Sequence, residues 1–164
     1  MVNESVINQK IGKYTGFQRF FLLLMRVTIG WHFLYEGYVK MVSTGWSAAG
    51  YLDAVPGPFA GVFEYMINHA WMVKFADAMM LYGLTAIGLC LILGFFTRIA
   101  AVCAAALLLL FYISNPPFIG VPFMPGEGNY LFVNKNLVEL TAAMVLLVFP
   151  SGLVWGLDRL FVKE

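Results

Sequence analysis

The chain reads as an all-α integral membrane protein: a four-helix transmembrane bundle with two long connections on its outer side. The first connection is partly helical and the second is rich in Gly and Pro. Apolar residues make up 61% of the 164-residue chain and charged residues only 12%. A soluble domain carries about 45–50% and about 25% respectively. The mean hydropathy of +0.80 agrees, and stretches of about 20 mostly apolar residues, the length that crosses a hydrocarbon core, recur along the sequence. The net charge is +1 and no basic stripe exists, so no nucleic-acid partner is expected.

Residues 1–15 are polar and are expected in the cytosol as a short interfacial helix. Lys10, Lys13 and Arg19 ahead of an apolar run imitate a secretory signal. The run from Phe20 onward, however, is too long for a signal core, contains Arg26 and lacks a small-x-small cleavage site. It is therefore read as a retained first span over 16–39. The segment GWSAAGYLDAVPGPFAG (45–61) cannot form one regular helix, because Gly, Pro and small residues interrupt it. VFEYMINHAW (62–71) is apolar and helical but too short to cross. Together the two segments make the first outer connection, expected to lie on the membrane surface.

Span two is expected over 72–95, and Thr97-Arg98 closes a tight turn. Span three follows over 99–114, where Ala100, Ala101, Ala104 and Ala105 let helix backbones approach closely in lipid. NPPFIGVPFMPGEG (115–128) holds too much Pro and Gly for a helix and forms the second connection. Span four is expected over 130–149, ended by Pro150-Ser151-Gly152 and followed by a short amphipathic tail. No internal repeat is visible, and residues 1–164 form a single domain. Four spans put both termini on one side. Lys10, Lys13, Arg19, Arg98, Arg159 and Lys163 flank that side, against Lys40, Lys74 and Lys135 on the other, which predicts cytoplasmic termini.

The chemistry concentrates at WHFLYEGYVK (31–40). A charge in hydrocarbon costs several kcal/mol unless it is paired or wetted. At about 100° per residue, His32, Glu36 and Lys40 lie near 240°, 280° and 320° from Arg26. This gives one polar stripe, and the i,i+4 spacing lets the last three residues meet. Lys74 and Asp77 on span two, with Asn136 and Glu139 on span four, belong to the same leaflet. Two readings stay open: ion pairs that lock the bundle while Lys40 and Lys74 snorkel, or the lining of a cavity.

A bis-histidine haem on His32 and His69 is not expected, because His69 lies in a short stretch of uncertain geometry. Cys90 and Cys103 straddle the turn at similar depth, about 10 Å from it, and are read as inert thiols. With no CxxC and no zinc spacing, no metal site is expected. Tyr35, Tyr38, Trp46, Tyr51, Trp71, Tyr130 and Trp155 fall near the predicted interfaces, as an aromatic belt does. Tyr38 and Trp46 are also placed to flank a planar ring.

The order RVTIGWHFLYEGYVKM, WSAAGYL with GPFAG, GLCLILGFFTRIAA and GNYLFVNKNLVELTAAMVLL resembles the DoxX/DoxD family of small membrane proteins. The resemblance extends from about Phe17 to Asp158. WSAAGYL and GPFAG look more like the DoxD branch, the membrane subunit of thiosulfate:quinone oxidoreductase. It implies a multi-pass protein of the bacterial or archaeal inner membrane, quinone as the cofactor, and a separate redox protein partner on the outer side.

Carried onto these residues, His32, Lys40 or Arg26 would donate hydrogen bonds to the quinone oxygens. Glu36 or Glu139 would carry protons, and Asp77 and Asn136 would orient or relay. Catalytic roles therefore fall on Glu36, His32 and Glu139, and cofactor contacts on Arg26, Lys40, Asp77 and Asn136. No flavin, Fe–S or strong haem motif is present, so electrons would arrive from the substrate directly or from the partner. The alternative is a non-catalytic membrane anchor or scaffold that docks a separate redox enzyme on its outer connections. A carrier is a further class, for which four spans are few unless copies assemble into a homo-oligomer.

Overall fold

A computed structural model describes residues 4–55, 58–117 and 131–162. It contains α1 (Glu4–Ile11), α2 (Gly16–Val42), α3 (Ala49–Ala54), α4 (Ala60–Ile67), α5 (Ala70–Ala78), α6 (Leu84–Leu93), α7 (Thr97–Ser114) and α8 (Lys135–Val148). A π turn, Met79–Gly83, joins α5 and α6 into one rod, and two 3₁₀ turns, Ser151–Leu153 and Leu157–Phe161, follow α8. The described residues are all-helical, with no strand.

Local chemistry sets the helix ends. Thr15 Oγ1 accepts from Gln18 N at 3.3 Å and Gln18 Oε1 accepts from Thr15 N at 2.9 Å, a reciprocal cap that starts α2. Asn134 Oδ1 accepts from Leu137 N at 3.0 Å and starts α8 in the same manner. α6 ends at Gly94, in the left-handed region with φ 65°, where a glycine pays no Cβ penalty. Phe96 then takes φ 46°, so the turn before α7 is only two or three residues long.

Two close approaches build the bundle. α2 packs along α6 with Gly30 facing Gly88; a Cβ at Gly88 would lie 2.7 Å from Gly30 O and against the Leu34 backbone. α7 meets α8 through small residues: Ala101, Ala104 and Ala143 are completely buried. As expected, alanine brings these backbones together. Ile29, Phe33, Leu84, Ile87, Leu91, Leu108 and Leu146 fill the space between the four long elements.

Among the described residues, two helices are long and apolar enough to cross a bilayer: Ala70–Leu93, with mean hydropathy 1.9, and Thr97–Ser114, with 2.0. Only 28% and 39% of these stretches are buried in the protein, whereas the core helix of a soluble protein would be mostly covered. Large apolar side chains such as Tyr82, Val148, Phe17 and Trp31 also face outward. This is a membrane protein, with its apolar residues on both the inside and the outside of the bundle.

The predicted first three spans coincide with α2, the α5–α6 rod and α7, displaced by a few residues. α8, 14 residues from Lys135, lies within the stretch expected as span four, and Tyr130 and most of the second connection lie outside the described residues. The expected helix 62–71 is divided in two. Asn68 Nδ2 bonds back to Glu64 O at 3.0 Å, ending α4, and His69 is extended (φ −123°), so Ala70 and Trp71 open the next helix. The Asn68 amide competes with the helix ladder at that point.

The Gly30–Gly88 contact leaves no room for a side chain. Gly88→Leu should lower stability by about 1–3 kcal/mol or more. Gly83→Ala, where a Cβ would meet nothing within 4 Å, should leave stability unchanged or raise it by up to about 1 kcal/mol. Thermal unfolding in detergent would separate the two.

Candidate functional site

α3 and α4 fold back over the C-terminal ends of α2 and α7 and over α5 and enclose a cavity of about 650 Å³. Its body is apolar, with Phe33, Leu84, Leu108 and Phe111 among the lining. Its polar end carries His32, Glu36 and Lys40 from α2, Asn115 from the end of α7, and Lys135 and Asn136 from α8. Phe75 and Met79 line the cavity yet remain exposed, so the apolar end opens through the side of the bundle, beside the π turn. Such turns inside α-helices often accompany functional sites.

The polar stripe is thus the lining of a cavity, and it is also a chain of ion pairs. His32 Nδ1 pairs with Glu139 Oε1 across the α2–α8 contact. His32 Nε2 lies 3.8 Å from Glu36 Oε1, and Glu36 Oε2 pairs with Lys40 Nζ. Acid and base alternate from α8 to the C-terminal end of α2. Lys135 exerts an electrostatic influence on both His32 and Glu36. Glu139 Oε2 is buried without a hydrogen-bond partner among the described residues, so an acceptor is left over at the buried end. The Lys40 ammonium also sits 5.8 Å from the Trp46 ring centre, a cation–π contact that ties the relay to the start of the cap.

Asp77 and Asn136 part company. Asn136 is buried on the cavity wall. Asp77 instead holds the cap down: its Oδ1 accepts from Ala48 N at 2.6 Å and from Ser47 Oγ at 3.1 Å. The carboxylate therefore supplies the N-terminal cap that Ala48 cannot provide for α3. The cap's own apolar cluster, including Leu52, Val55 and Phe63, closes on Ala76 one position earlier.

Arg26 is not part of the cavity. Its side chain is 1% exposed, and the Nη1 donates to Ser151 O and to Val154 O, the latter at 3.2 Å. Asp158 is its electrostatic partner. The helical wheel put Arg26 at one edge of the stripe, 120° from His32 by about 100° steps, and that rotation carries it to the tail rather than to the cavity. Its role is to fasten the segment after α8 onto α2. Asp158 completes the fastening, since its N–H donates to Gly94 O at 2.7 Å and its Oδ2 accepts from Thr97 N at 3.1 Å.

Sequence reasoning did not single out Asn115, Lys135 and Tyr51 as site residues, nor Met79 and Met80. Asn115 was hidden in the Pro-rich connection, and Lys135 was read only as a topology marker. Cys90 and Cys103 are both free thiols, and no group of acids, histidines and cysteines able to hold a metal occurs among the described residues.

Removing the Asp77 carboxylate by Asp77→Ala should loosen the cap by about 0.5–2 kcal/mol, seen as faster amide hydrogen exchange over 48–55 with α6 and α7 unchanged. Arg26→Met should cost about 1–3 kcal/mol through the carbonyls it leaves behind, measured by thermal unfolding.

The DoxX family profile matches residues 21–114, from within α2 to the end of α7 and over half of the chain. The match includes His32, Glu36, Lys40, the cap and the α6–α7 turn, and stops short of α8. No curated protein and no solved structure matches the chain. On the family match, the chain belongs to the DoxX family.

Proposed function

We propose that this protein is the quinone-interacting membrane subunit of an oxidoreductase, of the thiosulfate:quinone oxidoreductase kind. The observation that carries the reading is the cavity: an apolar chamber open through the side of the bundle, with a proton-bearing chain at its other end. An isoprenoid quinone has the same division, an apolar tail and ring with two polar oxygens. A mostly apolar pocket with a few convergent polar groups is the usual form of a small-molecule site. The DoxX family is often linked to quinone oxidoreductase subunits.

In this reading α2, the α5–α6 rod, α7 and α8 are four spans, with both termini in the cytosol and the cap outside. α2, 27 residues long, reaches about 40 Å and crosses despite its charges because they face the cavity and the tail. α8 is shorter, at 14 residues or about 21 Å, and the residues before it complete the crossing. The membrane is the cytoplasmic membrane of a bacterium or archaeon.

His32, Lys40 and Asn136 hold the ring oxygens as donors. Reduction of a quinone consumes two electrons and two protons. Glu139 and Glu36 flank His32 and pass protons through it, an arrangement suited to general acid–base work. Trp46 and Phe111 bracket the ring. The electrons come from a separate redox protein docked on the outer side. The rival reading, a non-catalytic anchor for such a protein, draws on the cap having an apolar cluster of its own and so offering a firm docking surface.

The test is the quinone content of protein purified in mild detergent, read by mass spectrometry of an organic extract. Near-stoichiometric quinone is expected in the wild type, falling at least about tenfold in His32→Ala and Glu36→Gln, a loss of about 1.4 kcal/mol in binding. Glu139→Gln should retain folded protein but lose quinone reduction. Lower detergent stability in all three, with no quinone above lipid background in the wild type, would leave the anchor as the reading. Orientation is checked by cysteine labelling at exposed positions, with Thr44→Cys accessible from outside intact cells and Lys13→Cys protected.

A further inference from the structure

A second, smaller cavity of about 170 Å³ lies at the opposite end of the bundle, where α1, the start of α7 and the 3₁₀ turn after α8 meet. Its volume is five to six times the roughly 30 Å³ of one water, enough for a small polyatomic ion or a lipid headgroup and too small for a ring system with substituents. The polar lining is unusual in kind. Lys10 and Arg98 bring two cations to its mouth, and neither forms an ion pair among the described residues. Thr97 and Ser151, 2% and 0% exposed, are also among its lining residues. Neither hydroxyl has a hydrogen-bond partner among the described residues.

Buried hydroxyls left unpaired cost free energy, and here two of them line one small cavity. Asp158 also lines it; its carboxylate accepts from the Thr97 N–H and lies in the field of the Arg26 guanidinium. What remains is two cations and two hydroxyl donors. A metal cation would be repelled by Lys10 and Arg98, whereas a tetrahedral anion accepts from all four groups. Gly152 packs directly on the Asp158 carboxylate and Thr97, since a Cβ there would lie 2.0 Å from Asp158 Oδ2 and 2.5 Å from Thr97 Oγ1.

The surroundings indicate where the anion comes from. Phe149 lines the cavity, and Phe96, Ile99 and Val148 are exposed apolar residues at the same end of the bundle. Acyl chains lie along such a surface, while the headgroup sits among the cations at its edge. Basic pockets between membrane helices hold anionic headgroups in this way. We propose that this cavity is a phosphate site that takes the headgroup of an anionic phospholipid, and that the ligand clamps the tail, α1 and the α6–α7 turn together.

The full chain, delipidated in mild detergent, would be offered equimolar phosphatidylglycerol and phosphatidylcholine, and bound lipid counted by native mass spectrometry. In parallel, unfolding temperature would be followed in inorganic phosphate and in chloride at equal ionic strength. Preferential retention of phosphatidylglycerol is expected, falling roughly tenfold in the exposed double variant Lys10→Gln/Arg98→Gln. Ser151→Ala removes an unpaired hydroxyl, so it should weaken retention without lowering the stability of the lipid-free protein. A phosphate-specific rise in unfolding temperature with no lipid preference, lost in the same double variant, would also support the site and make free phosphate its ligand. No preference for phosphatidylglycerol and no phosphate effect, or a preference that the double variant leaves intact, would overturn the proposal.

Discussion

The cost of taking charge out of water governs this structure more than any single apolar contact. An isolated ion in a low-dielectric interior is so unfavourable that it must find opposite charge or a set of aligned dipoles. Beyond Arg19 near its start, α2 carries Arg26, His32, Glu36 and Lys40 along its length, and the rest of the fold is arranged around these four. Arg26 finds the carbonyls of Ser151 and Val154, which requires the chain to return under α2 after α8. His32 finds Glu139, which requires α8 to stand beside α2. Glu36 and Lys40 settle each other. The first two pairings, at successive depths, fix the neighbours of the helix, and the third stays within it.

Close backbone contact makes these pairings possible. Glycine against glycine between α2 and α6, and alanine against alanine between α7 and α8, bring helix axes near enough for short side chains to bridge. The cavity arises where that close packing ends. The rod still lies tight on α2 where Gly37 meets Leu81 and Thr85; past that contact α3 and α4 cover the opening instead of another long helix. Asp77 then acts as a clasp rather than as a ligand, because the cap has to be held by something other than apolar area alone.

Local pattern revealed much of this. The long elements were legible from apolar runs bounded by Pro and Gly, and the α2 stripe from angular spacing. The shared level of His32 and Glu139 followed from topology. What was hidden depends on which helices are neighbours. Arg26 bonds to residues more than a hundred positions away, and periodicity contains no information about that return. Asp77 was expected to orient or relay at the cofactor, because its actual partners are backbone and side-chain groups of a segment whose path could not be drawn. The break at His69 was invisible for another reason: an apolar decamer gives no sign that an asparagine amide will outcompete the ladder.

The π turn at Met79–Gly83 has a consequence for how such a bundle can change. One extra residue per turn there sets the angular phase of the outer half of the rod independently of the inner half. α6 remains meshed with Gly30 and Ile29, while α5 presents Ala76 and Asp77 to the cap. Losing that residue would swing α5 by about 100° and turn the clasp away from Ala48, with the inner packing untouched. The rod behaves as a coupling between two shafts. The chamber can be reshaped from one side of the joint while the scaffold on the other side keeps its mesh.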